Sequence, residues 1–277
     1  MKIRETTGLV GAGGVNRSFV ARMPALLEHL GPIKGSSLRV SRRIANTLRA
    51  GVGVADYAAL QDCRLIWIFE PEASLDRVTA ELAHHVRLEG KMVVLCEVMR
   101  DSLWPSPLRT AGARVATINS IPGSDESVFV AEGSQAVIAE LRKLLARENR
   151  KLIELRPAAK TLYLSGVHAG AHLLMPWIAG AVESFRAAGF TRSEAAQTMQ
   201  ALGSRALRAY AKAGAKAWNR ADAERLHRAI EADMEALRRT DHRLAALYTD
   251  SVERLLRSFS SAPPSKALAP VAARRAS

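Results

Sequence analysis

The chain has 277 residues, 48% of them hydrophobic and 24% charged, long enough for two cores and too apolar to remain disordered. A net charge of +13 raises a nucleic-acid partner, but the basic residues alternate with acids (RKLLARENRK, RADAERLHRAIEADMEALRR) and aromatics make up only 5%, which disfavours a phosphate-tracking or base-stacking surface. There is no apolar run of about 18 residues and no signal-peptide core, and Cys63 and Cys96 lie in apolar runs as free thiols; a cytoplasmic protein without a membrane partner is expected.

Through about residue 150, short apolar runs alternate with helical stretches, the pattern of a parallel sheet covered by helices. Strands are expected at Thr7–Val10, Ser37–Val40, Leu65–Phe69, Met92–Cys96, Arg114–Ile118 and Ser127–Ala131. Helical spacing follows from Ser134 to Leu145, and Lys151–Leu155 forms a last strand that Pro157 stops. From Ala158 to about Phe259 there are only Ala-, Leu-, Glu- and Arg-rich periodic segments, so this half reads as all-helical. The expected division is 1–156 for the sheet domain, 157–259 for the helical domain and 260–277 for a disordered Pro/Ala-rich tail.

The first strand runs into Gly11-Ala12-Gly13-Gly14-Val15-Asn16, with a helix expected from near Arg17. Strand, glycine turn and helix in that order suit a dinucleotide pyrophosphate, which needs a tight turn, close backbone approach and the free amides of a helix start. Gly11 and Gly13 fill the first two glycine positions, and Asn16 stands where a third small residue is usual. After the second expected strand come Ser41, Arg42 and Arg43, with no acid to hold ribose hydroxyls. A hydroxyl and two guanidiniums suit a 2′-phosphate, so NADP is favoured over NAD; the competing reading is an ordinary exposed helix start. Phe69 and Pro71, at the end of the next strand, complete the cofactor-binding set, with Glu70 and Glu72 on the rim or capping the following helix.

With these residues the chain resembles the group of Rossmann proteins that contains 6-phosphogluconate dehydrogenase and pyrroline-5-carboxylate reductase. NRSFVARMP after the glycines and VFVAEGSQAVIAELRKL before the helical half also resemble a bacterial family of predicted oxidoreductases. Its members join a Rossmann-like NADP domain to an all-helical C-terminal domain (domain of unknown function 2520). The resemblance covers the chain to about residue 258 and implies a doubly wound parallel α/β sheet with a helical C-terminal domain, a likeness in which NADP and a small-molecule substrate go together. Three departures stand out. A His-Pro of that family is Asn119-Ser120-Ile121-Pro122 here, a Tyr-His pair and later Asn are Tyr163-Leu164 and His172, and a Gly-Pro then Arg-Gly-Asp segment is Ala217-Trp218-Asn219-Arg220-Ala221-Asp222.

The resemblance places the substrate between the domains, beside the first helix of the second one. Lys160, His168 and His172 are spaced i, i+8 and i+12, so a continuous helix there would present all three over about 120° of one face. With Asn119 they are the candidate catalytic residues, as proton donors or acceptors. The competing reading is inert packing of the small-residue HAGAH segment in a homodimer interface, and no third ligand accompanies the HxxxH pair, so no metal site is read. Two functions remain: an NADP-dependent oxidoreductase acting on a small anionic substrate, or a non-catalytic NADP-binding sensor that keeps the dehydrogenase fold.

Overall fold

The computed structural model describes residues 6–11, 14–15, 18–217, 229–230, 232–239, 242, 244–246, 248–249 and 251–252. The chain forms two compact units, Met1–Gly170 and Ala171–Ser277. In the first unit β1 (Thr6–Gly11), β2 (Leu30–Lys34), β3 (Val52–Val54), β4 (Cys63–Phe69), β5 (Met92–Cys96), β6 (Arg114–Ser120), β7 (Val128–Gly133) and β8 (Lys151–Glu154) form one sheet in the order β3-β2-β1-β4-β5-β6-β7-β8. Helices α1 (Pro24–Leu27), α2 (Leu38–Leu48), α3 (Leu75–His85), α4 (Ser106–Thr110) and α5 (Gln135–Arg147) connect the strands. Both faces are covered: Leu9, Phe19, Trp67, Val94, Ile118, Phe129 and Leu141 form one core, and Val10, Ile66, Leu75, Leu82, Val93 and Leu108 the other. That is why Met92–Cys96 is buried at every position and reads as an unbroken apolar run.

All neighbouring strands are parallel except β6 and β7, which pair antiparallel. A parallel return needs a crossover of about a dozen residues, and the connection 121–127 is too short for one. The carboxyl ends of β1, β4, β5 and β6 therefore share one edge, with the switch in strand order between β1 and β4.

Two expected elements are corrected. Ser37–Val40 is not a strand: Ser37 caps α2 by accepting the Val40 N–H at 3.3 Å, and the second strand lies earlier, at Leu30–Lys34. Its Pro32 lacks the N–H that a strand ladder uses. The ladder accommodates it because Leu30 and Ile33, three residues apart, oppose Thr7 and Leu9, two apart, so a bulge at Gly31-Pro32 absorbs the missing donor. The helix expected from near Arg17 is also not continuous: a 3-10 turn at Phe19–Arg22 is followed by the four-residue α1. Pro24 imposes the break, with Met23 before it extended at φ −119°, ψ 84°.

After β8 the first unit closes with α6 (Lys160–Gly170). The continuous helix expected to carry Lys160, His168 and His172 is interrupted by a turn at 171–174, beyond which α7 (Met175–Ala187) starts with Pro176 in its first turn, where a missing N–H costs nothing. The described residues of the second unit are helical. Here α8 (Arg192–Ala213) opens with a capping box between Thr191 and Glu194, and Gly180 of α7 lies so close to Leu244 that a Cβ there would stand 2.3 Å from its side chain. The tail expected over 260–277 lies outside the described residues.

Phe129 is fully buried and meets the Phe19 ring edge-on at 4.9 Å. Phe129→Ala is expected to lower unfolding stability by about 3–5 kcal/mol, while Val52→Ala, at a side chain 68% exposed, changes it by less than about 0.5 kcal/mol in the same urea titration.

Candidate functional site

The β1–β4 edge forms the first half of the site. Gly11 ends β1 opposite Phe69, and a Cβ on it would stand 2.4 Å from Val15 Cγ2, so only glycine allows the chain to turn there. Val15 is buried beneath the turn, and its carbonyl accepts the Ser18 hydroxyl at 2.6 Å. Half-buried Phe69 backs the turn, its ring 3.9 Å from where a Gly14 Cβ would stand, and exposed Pro71 starts the next loop. Ala12, Gly13 and Asn16 lie outside the described residues.

Relocating the second strand changes which groups stand beyond it. Lys34 now ends it and Gly35, Ser36 and Ser37 follow, while Ser41, Arg42 and Arg43 sit in α2. Ser41 is fully buried; its hydroxyl accepts Gly35 N–H at 2.8 Å and donates to the Ser37 carbonyl at 3.0 Å, so it braces the loop from within. Arg42 and Arg43 are exposed and share a shallow surface with Arg39, Asn46 and Thr47. The helix backbone beneath Arg42 is pinned by Gly53 of β3, where a Cβ would lie 2.5 Å from Arg42 N.

The second half surrounds the loop 97–102. Glu97, the first residue after β5, has a left-handed φ of 55°, a conformation that costs a non-glycine residue about 1–3 kcal/mol. Ser120 holds it there, its N–H and hydroxyl donating to Glu97 Oε1 at 2.9 and 2.7 Å. Asn119 Nδ2 donates to the Val98 carbonyl at 3.1 Å, Met99 N–H to Glu72 Oε2 at 3.2 Å, and Ser102 N–H to Glu132 Oε1 at 2.8 Å. Arg100 pairs with Glu72 at 3.1 Å and lies over the Trp104 ring. Groups from beyond β4, from β6 and from β7 thus fix one short loop.

Lys160, the first residue of α6, faces this arrangement from the first unit. It is 1% exposed, and its Nζ has no hydrogen-bond partner among the described residues. Burial lowers its pKa to about 8, opposed in order by Glu132, Glu72, Glu97 and the Cys96 thiol. Burial likewise pushes the Glu97 carboxyl above its ordinary value, although its outer edge stays exposed, against the hydrogen bonds of Ser120 and the charge of Lys160. Tyr163, half-buried one turn along α6, is raised by burial and then by Glu97. An amine that titrates near neutrality among carboxylates can donate or accept a proton.

Of the four expected catalytic residues, Asn119 bonds to this loop at Val98, and Lys160 lies within electrostatic reach of its Glu97. His168 lies half-buried near the end of α6, about 12 Å along the axis from Lys160 at 1.5 Å per residue. His172 is exposed in the turn after α6, not on its face as the spacing implied, because the helix stops at Gly170. Sequence reasoning missed Glu97 and Glu132. Glu97 had a signal in its place just past a strand's carboxyl end; Glu132 had one as the lone charge in the apolar strand VFVAEG. No cluster of three or more metal-ligating side chains occurs among the described residues, and none of their helices is long and apolar enough to cross a membrane.

Neither a protein-family model nor a curated protein sequence matches the chain. Solved structures share its fold. A Thermotoga maritima protein aligns at 14% identity and a TM-score of 0.67 over 92% of this chain and 100% of its own. A Myxococcus stipitatus imine reductase in complex with NADP+ aligns at 15% and 0.66, over 92% and 94%. A reductive aminase from Aspergillus terreus, in complex with NADPH and ethyl levulinate, aligns at 14% and 0.61, over 91% and 94%. The chain has a Rossmann-like fold with a helical C-terminal region.

The buried lysine has a thermodynamic consequence that needs no substrate. Its folded pKa of about 8 lies below the ordinary 10.5, so the unfolded chain binds the extra proton between those values and stability rises with pH across that window. The cost of the buried charge is fully present below pH 8, at about 3 kcal/mol. Lys160→Met should therefore be more stable than the unsubstituted protein at pH 7 and lack its rise between pH 8 and 10, as measured by denaturant titration.

Proposed function

We propose that the protein is an NADP(H)-dependent oxidoreductase of the 6-phosphogluconate dehydrogenase-like group, reducing a small molecule, and a member of the bacterial family its sequence resembles. The observation that carries this reading is Lys160, buried and unpartnered beside three carboxylates at the strand edge that also bears the Gly11 turn. NADPH when bound supplies the hydride. The residues present fit that cofactor: Gly11 leaves the turn free of side-chain bulk, the exposed Ser36 and Ser37 hydroxyls follow β2, and the cations of Arg39, Arg42 and Arg43 stand on α2. Lys160 in its ammonium form donates the proton that accompanies reduction, Glu97 and Glu132 offset its charge, and Asn119 orients the loop beneath it.

The same carboxylates revise the substrate reading. The net charge of +13 belongs to the whole chain, whereas Glu97 and Glu132 outnumber Lys160 at the centre, and Glu72 is matched by Arg100. Such a centre favours a neutral or protonated reacting group over an anion, so a C=N bond that becomes an iminium is the best-suited class. The imine reductase and reductive aminase among the structural neighbours agree with it. NADPH consumption with 3,4-dihydroisoquinoline, exceeding that with a 2-keto acid and falling as pH rises through about 8 with loss of the Lys160 proton, supports this assignment. NADPH binding without turnover of either probe would favour the sensor reading.

Cofactor choice is testable by calorimetry. NADPH should bind at least about tenfold tighter than NADH, a difference of roughly 1.4 kcal/mol, and Arg39→Glu or Arg42→Glu should remove the preference; equal affinities in the unsubstituted protein would refute the 2′-phosphate assignment. We also propose a homodimer, since Leu207 and Tyr210, i and i+3 on α8, are 67% and 65% exposed. Light scattering should report a dimer that Leu207→Glu converts to a monomer.

A further inference from the structure

Glu132 stands in β7 behind Val128, Phe129, Val130 and Ala131, and is 1% exposed. It pairs across the ladder with Thr117, two residues before Asn119 on β6, so Thr117, Asn119 and Glu132 present their side chains on one face of the sheet. That face is the one on which the loop 97–102 lies, because Asn119 and Glu132 each bond to its backbone. Only half of each side chain is engaged there. Glu132 Oε1 takes the Ser102 N–H and Asn119 Nδ2 gives to Val98, while Glu132 Oε2 and Asn119 Oδ1 are buried with no partner in the protein. Lys160 Nζ is likewise buried without a hydrogen-bond partner among the described residues, and Glu132 is the first of the carboxylates that act on it.

Glu132 therefore brings an open acceptor toward an open cationic donor, and a buried polar group left open is costly unless a neighbour of the right sign stands close. The charged and titratable groups that face Lys160 are Glu132 on β7, Glu72 beyond β4, and Glu97 and Cys96 at the end of β5. Glu72 is committed to Arg100 and Met99, and Glu97 to Ser120. Glu132 alone among these carboxylates keeps an oxygen that is both buried and open.

We propose that Glu132 is the positioning residue of Lys160: anchored by Ser102, its open oxygen faces the lysine, holds it protonated and fixes its direction. The assignment rests on the role given to Lys160 above. Its geometric basis is the anchoring, since a carboxylate fixed through one oxygen presents the other at a constant position, and a lysine stem with four rotatable bonds needs such a fixed target. Glu132 reaches Lys160 through space and does not itself touch the reacting atoms.

The experiment is a titration of Lys160 in the full-length protein, followed by NMR of the lysine ε-carbons and assigned by the resonance that Lys160→Met removes. Glu132→Gln keeps the Ser102 contact but turns an amide toward the ammonium, so the midpoint should fall from near 8 by about one unit or more. Glu132→Asp, which keeps the charge, should recover part of that fall, and Glu154→Gln, at a surface carboxylate paired with Arg142, should leave the midpoint in place. Should Glu132→Gln not fold, Glu132→Asp, whose shorter carboxylate stands farther from the ammonium, carries the test with a smaller fall. A midpoint that moves by less than about 0.3 unit in the folded Glu132→Gln, or in Glu132→Asp where only that variant folds, overturns the proposal. The two readings fail separately: a midpoint that shifts in a protein unable to bind NADPH leaves the coupling in place and removes the oxidoreductase.

Discussion

An ammonium group cannot be kept in a water-poor interior unless negative charge is brought to it, and around Lys160 the fold satisfies that requirement with carboxylates from different elements. Glu72 arrives from the loop after β4, Glu97 from the end of β5 and Glu132 from within β7. None is a neighbour of Lys160 in sequence. They meet because the carboxyl ends of the parallel strands lie along one edge and because β7, running back against β6, returns an acidic side chain to the same place. The loop 97–102 is hydrogen-bonded to Glu72, Asn119 and Glu132 and so links the elements that carry them.

The β1–β2 half of the edge follows a different principle, in which small residues leave room and cations stand nearby. Gly11 makes the turn possible by lacking a side chain, and Gly53 lets β3 press against the α2 backbone that carries Arg42. The two halves divide the chemistry: a basic approach suited to phosphate at the β2 side, and an acidic centre around one lysine at the β5–β7 side. A strongly cationic chain can thus hold a locally acidic centre, since total charge governs long-range attraction and the immediate neighbours govern proton affinity.

The proline positions explain most of the differences between the expected and the observed elements. Pro24 divides the helix after the glycine turn, Pro32 enters a strand by way of a bulge, and Pro176 opens α7 after the turn that ends the α6 direction. Each acts on one missing N–H and one fixed φ. At Pro32 local chemistry spoke against a strand, and pairing on both sides, with β1 and β3, overrode it. The cost was a displaced second strand, which moved Ser41 from a presumed ligand contact to an internal brace.

From the sequence alone came the apolar runs that are buried on both faces, the glycine turn at the end of β1, the change from strand to helical periodicity, and Asn119 and Lys160 as candidates. These are properties of contiguous residues, where hydrophobic period and glycine or proline chemistry act within a few positions. Tertiary structure alone decided that β7 runs backward, that Ser41 faces inward, that His172 leaves the helix, and that Glu97 and Glu132 join Lys160. The reason is physical: which charges share a desolvated space depends on strand order and on pairing across the sheet, and neither is encoded in the spacing of residues along the chain.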